Sequence, residues 1–150
     1  MNTDKNESRL LIQNQDFINK TSVTQYIEWN ALTSVSFVNY NFDSFYLLGT
    51  VFESCNFQNC AFNYLYARKT KFSSCSFKGC SITNSDMARA EFFGSHFKNC
   101  EFLSVDLTAS NFDKRELKST VFFKSNLNLM PQCLRVKSRV ALRHRWYSFI

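Results

Sequence analysis

The sequence predicts a repeat solenoid that turns a corner every five residues, and three observations predict it. Stepping by fives from Leu32 to Leu127 meets twenty consecutive apolar residues, twelve of them Phe, without one insertion. Two residues before most of these centres stands something small or apolar, including Thr50, Cys55, Cys60, Thr70, Cys75, Cys80, Ser85, Ala90, Ser95 and Cys100. All three glycines, Gly49, Gly79 and Gly94, fall two residues after a centre, where the chain has to bend and positive φ is tolerated. A period of five is neither the 3.6 of a helix nor the 2.0 of a strand, so neither element alone accounts for the pattern.

The chain divides into three parts. In residues 1-29, Ile12, Phe17 and Ile27 keep the same register, but Gln15, Lys20 and Gln25 then occupy the small position. The segment is therefore a degenerate extra coil or a nonrepeating cap. Residues 30-129 hold the unbroken repeat, long enough for one domain with a real core. Residues 130-150 leave the register at Met130-Pro131 and continue as "LRVKSRVALRHRWYSFI", with five Arg or Lys and no acid. Val136, Val140 and Trp146 give that tail a loose helical period, so it is a capping helix, a partner-binding tail, or both. Most of the net charge of +6 belongs there. The polar start "MNTDKNESRL" fits neither a secretory signal nor a transit peptide, and no apolar run approaches a membrane span. The expected location is cytoplasmic, or an equivalent reducing compartment.

Units such as "CNFQN", "CSFKG", "SDMAR", "CEFLS", "VDLTA" and "SNFDK" resemble the pentapeptide-repeat family, whose pattern is a small residue, often Asp or Asn, a central Leu or Phe, and two mostly polar residues. The resemblance covers two thirds of the chain. It implies an all-β fold, a right-handed quadrilateral β-helix with four pentapeptides to a coil, about five coils in all. The centre and the small residue then point inward, and residues 20 apart stack at roughly 4.8 Å. One face would stack Leu32, Phe52, Phe72, Phe92 and Phe112. The next would stack Phe37, Phe57, Phe77, Phe97 and Leu117, and the third Phe42, Phe62, Ile82, Phe102 and Phe122. The fourth column, Leu47, Ala67, Met87, Leu107 and Leu127, has no Phe, and the larger Phe45 and Leu65 stand at its small positions as though volume were exchanged.

Little in the sequence speaks for catalysis or a cofactor. Cys55 and Cys60, like Cys75 and Cys80, are five apart, which is not the gap of common zinc motifs. Their shared repeat position makes them packing residues, because a free Cys serves as a small hydrophobe. His96 and His144 have no predictable nucleophile or carboxylate partner, and no glycine-rich phosphate loop occurs. No metal ligands and no catalytic residues are assigned.

Interaction by surface remains. Outward apolar residues form two groups: Tyr46, Leu48, Tyr64 and Tyr66 beside Arg68 and Lys69, and Phe93, Leu103, Val121 and Phe123 toward the C-terminal coils. Tyr and Arg are enriched at interface hot spots, so the first group is the preferred partner site. The second group, with Val140, Trp146 and Phe149, is expected to seat the tail or a second copy, since the resembled family often dimerises through its C-terminal end. Lys78, Lys98 and Lys118 form a lysine stripe that supports nucleic-acid binding as a lesser alternative. A further alternative is protection of DNA gyrase, as in the quinolone-resistance branch of the family. Against it, this rod is close to neutral where DNA-mimicking members are strongly acidic, and it lacks that branch's loop insertions. The expected function is a non-enzymatic protein-interaction or scaffold module.

Overall fold

In the computed structural model, residues 11–13, 16–18, 28–112 and 117–127 are described. Among them every element is a short strand or a turn, and the strands stack in parallel into a right-handed four-sided β-helix. The first face carries Leu11–Gln13, Ala31–Thr33, Val51–Glu53, Lys71–Ser73, Glu91–Phe92 and Asn111–Phe112. On the second lie Asp16–Ile18, Ser36–Val38, Asn56–Gln58, Ser76–Lys78, His96–Lys98 and Leu117–Lys118. The third holds Ala61–Asn63, Ser81–Thr83, Glu101–Leu103 and Val121–Phe123. Partners are 20 residues apart throughout, as in Phe52↔Phe72 and Phe57↔Phe77. The pairings Ile12↔Leu32 and Phe17↔Phe37 carry the same register into the N-terminal segment. The C-terminal tail, including Val140, Trp146 and Phe149, lies outside the described residues.

The fourth face is built differently. Its coils touch through single bridges, Tyr46↔Tyr66, Tyr66↔Asp86, Asp86↔Asp106 and Asp106↔Asn126, in place of strands. Each coil there closes a four-residue turn, with the Thr50 N–H donating to the Leu47 carbonyl at 2.9 Å and the Ala90 N–H to that of Met87 at 3.0 Å. Such turns need a left-handed third residue, which is Gly49 in the first and Arg89 in the second.

The core follows from the repeat. From Leu32 to Phe122 every fifth residue is buried. Phenyl rings of one column stack almost parallel, Phe52 on Phe72 at 5.0 Å and 5° and Phe72 on Phe92 at 5.1 Å and 2°. Rings of adjacent columns meet edge to face, as Phe52 and Phe57 do at 71°. Both arrangements suit the ring quadrupole. On the fourth face the exchange of volume is real: Leu65 and Ala67 are both buried, as are Ser85 and Met87.

The small inward position has a second task, to hydrogen-bond between coils. The Ser85 hydroxyl lies 3.1 Å from the Phe62 carbonyl one coil below and 2.7 Å from the Thr83 carbonyl of its own coil. It also accepts the Leu65 N–H at 3.0 Å. Thr70, Ser95 and Ser125 reach the coil below in the same way, and the cysteine thiols do so at 3.4 to 3.5 Å. Ser, Thr and Cys therefore interchange here as short side chains carrying one donor.

Candidate functional site

A void of about 10 Å³ lies among Phe62, Phe72, Phe77, Ile82 and other apolar side chains, too small and too dry for a ligand. Function has to be sought on the outside. What distinguishes one outer region from another is which side chains stand at the left-handed corners. On the two corner files that flank the second face, among the described residues, the occupants are Ser34, Ser54, Ser74 and Gly94 and then Asn39, Asn59, Gly79, Asn99 and Ser119. These are the residues that visit the left-handed region at low cost or pack there easily. The two files that flank the fourth face also hold Trp29, Tyr64, Lys69, Arg89 and Lys124, all with φ between 51° and 60°. Bulky side chains at positive φ carry a conformational cost, and such costs concentrate where function requires a particular side chain.

Between these corners the Tyr46 and Tyr66 rings stack at 4.8 Å and 6°. Tyr64 and Tyr66 are among the most exposed large side chains, at 61% and 51%. Arg68, two residues after Tyr66, reaches Asp86 one coil above at 3.5 Å. Lys69 and Arg89 succeed each other in the corner file, tied by the Lys69 N–H donating to the Ala88 carbonyl at 3.1 Å, and neither has an ion-pair partner among the described residues. The structure thus brings Tyr46, Tyr64, Tyr66, Arg68 and Lys69 together on one face and its edges.

Trp29 belongs to the same region, although it precedes the unbroken repeat and so stands outside the pattern that singles out the tyrosines. Its backbone N–H donates to the Leu48 carbonyl at 3.0 Å, and its indole covers Gly49. A Cβ added at Gly49 would collide equally with Cε3 and Cζ3 and lie 2.9 Å from Cδ2, so the face of the six-membered ring, not its edge, rests on the glycine. The residue is 54% exposed. A signal was present: Trp29 stands two residues after Ile27, at the corner position of its unit.

The lysine stripe also assembles, with Lys78↔Lys98 and Lys98↔Lys118 paired on the second face. The second apolar group assembles only in part, with Leu103 paired to Phe123 and Phe93 apart from them. Phe93 follows the first face at 76% exposure, whereas Leu103, Val121 and Phe123 lie on the third, across the rod. Residues 10 or 30 apart fall on opposite faces of a four-sided coil, so nearness in sequence misleads. Phe123 instead has the Lys124 ammonium 5.4 Å above its ring.

The cysteine columns are buried and unbridged. In each thiol contact the upper member is shifted up: Cys75 by its bond to the Cys55 thiol and then by burial, Cys100 by its bond to Cys80 and then by burial. Cys55 and Cys60, at the bases of the columns, are drawn down by the thiols above them. No group of three His, Cys, Asp or Glu is placed to hold a metal among the described residues. His96 turns its Nδ1 to the Gly94 carbonyl at 3.1 Å.

A sequence profile of the family described as the SV2A/B/C luminal domain matches residues 11–102. The chain belongs to that family. The luminal-domain match takes in Trp29, the tyrosines, Arg68, Lys69 and Arg89, and stops before Lys118 and Phe123. No curated protein matches the chain in sequence. Among solved structures the chain is similar to Rfr23, a pentapeptide-repeat protein of the cyanobacterium Cyanothece 51142, with a TM-score of 0.58 and 11% identity over 71% of this chain and 82% of that one. It is also similar to QnrB1, a plasmid-mediated fluoroquinolone resistance protein, with a TM-score of 0.36 and 17% identity over 81% and 67% of the two chains. This luminal-domain family member is a pentapeptide-repeat β-helix. Among its described residues no helix is long and apolar enough to cross a membrane.

Proposed function

We propose that this chain is a non-enzymatic protein-interaction module whose partner docks on the fourth face. The observation that carries the reading is the gathering of bulky side chains at left-handed corners around that face, next to the stacked Tyr46–Tyr66 pair. Phenol rings that protrude from a rigid wall lose little freedom on binding, which suits them as anchors inserted into a partner's pockets. Arg68, steered by Asp86, and Lys69 supply the polar rim. A rod whose neighbouring coils are held by backbone hydrogen bonds offers these groups preorganised.

Capture of partners from the native host tests the reading. The triple variant Y46S/Y66S/R68S is expected to lose the partner while its melting temperature stays nearly unchanged. Retained capture by that variant moves the site to the lysine stripe or the tail.

The expectation of a reducing compartment and the family's luminal description point to opposite sides of a membrane. Buried thiols bonded to carbonyl oxygens fit both. Labelling the protein in its native cells with a membrane-impermeant reagent separates the two locations.

A further inference from the structure

The corner file after the fourth face reads Trp29, Gly49, Lys69, Arg89 and Ala109. Among the described residues it contains no acid. At the N-terminal end of the described file an indole that is 54% exposed lies flat on a glycine, and the next two side chains along the file are cations without ion-pair partners among the described residues. Successive corners are one coil apart, about 4.8 Å, so a ligand of two or three linked rings spans platform and cations together. We propose that this corner binds an acidic saccharide of the sulfated glycosaminoglycan type, with one pyranose ring stacked on Trp29 and its sulfate groups held by Lys69 and Arg89.

Shape and charge both favour a saccharide at this corner. A solenoid corner is convex, so it provides no pocket for the side-chain anchor of an acidic peptide. A pyranose needs none, because its C–H face packs against a flat aromatic ring whose π-face is negative. Sulfates are charged along the whole polymer and form charge-assisted hydrogen bonds with both ammonium and guanidinium groups. Gly49 is what lets the indole lie flat, since any side chain there would lift it. The inference goes beyond the protein-partner reading; it shares the corner residues Trp29, Lys69 and Arg89 with it, but not Tyr46, Tyr66 or Arg68.

The test is titration of the full chain with a heparin-derived hexasaccharide, in a W146F background so that fluorescence reports Trp29 alone. Binding is expected to change Trp29 emission, to weaken as salt rises, and to fall at least tenfold in both W29S and K69S/R89S. Serine is the native occupant of equivalent corners, so these variants keep the fold, and an unchanged melting temperature checks this. Y46S/Y66S/R68S is expected to bind the hexasaccharide normally, which keeps a failure of this inference distinct from a failure of the partner site. Several results overturn it: no binding at millimolar hexasaccharide, binding unchanged in W29S or in K69S/R89S, loss only in K78S/K98S, or equal affinity for an oligoglutamate peptide of the same charge. A hexasaccharide that is held by the basic tail alone gives the second of these.

Discussion

At Gly49 a single hydrogen atom decides where an indole sits. The residue is left-handed, at φ +66°, and its Cα carries the face of Trp29. Gly49→Ala adds both a conformational cost and a collision, and about 1–2 kcal/mol of stability should be lost by denaturant titration. Pairing it with Trp29→Ser should recover part of that loss, because the collision disappears and only the backbone cost remains. Strict additivity in the double-mutant cycle would show that the two residues do not touch. The opposite sign is expected at Lys69 and Arg89, which occupy corners that glycine would fill more easily. Lys69→Gly and Arg89→Gly should each raise stability by up to about 1 kcal/mol while weakening binding, the exchange expected where function maintains a strained conformation.

Strand and column energetics follow from the stacked rungs. Phe77 is buried, with Phe57 and Phe97 stacked on its two faces at 4.6 and 4.5 Å, so Phe77→Ala should cost roughly 3–5 kcal/mol. Lys78, its outward neighbour on the same strand, should change stability by less than about 0.5 kcal/mol when truncated to alanine. The thiol columns predict a pH dependence. Cys75, Cys80 and Cys100 hold their protons in the folded chain above the ordinary thiol value of 9.0, Cys80 to about 12. For Cys80 the Cys100 contact lowers the value, and the Cys60 contact and burial together outweigh it. A group whose folded value is raised contributes stability that is present below the unfolded value and lost as pH climbs toward the folded one. Stability should therefore decline above pH 9. Replacing the three with Ser, which makes the same carbonyl contacts at Ser85 and Ser125, should flatten that decline. The same burial predicts slow alkylation of Cys60, Cys80 and Cys100 until the protein unfolds.

For the whole molecule the governing fact is that the rod is nearly neutral and the tail is basic. A DNA-mimicking gyrase inhibitor has to offer regularly spaced negative charge to a cationic saddle. Here Asp86 is neutralised by Arg68 and Glu91 by Lys71, at 3.5 and 3.3 Å. Steering toward such a saddle would be weak. No protection of gyrase from a quinolone is expected in a supercoiling assay, and clear protection at stoichiometric concentration would replace the interaction-module reading. The tail is proposed to cover the C-terminal coil or to join two copies there. Deleting residues 131–150 should then expose an open solenoid edge and lower solubility.

The repeat register was fully legible in the sequence, because the five-residue period fixes which side chains face inward whatever their partners are. Twenty apolar centres, the small inward positions and the glycine corners sufficed to place the core and to stack Lys78, Lys98 and Lys118. The Tyr46–Tyr66 pair could be read from the 20-residue spacing alone. Three things could not. Phe93 looked like a neighbour of Leu103 because one-dimensional distance does not respect the four sides of a coil. The hydrogen-bonding task of Ser, Thr and Cys at the inward position depends on carbonyls 23 residues away, in a coil that exists only once the chain has wound. The platform at Trp29 depends on Gly49, 20 residues later, presenting a bare Cα beneath the ring. Period alone sets the direction in which a side chain points, and winding the coil decides what it meets there.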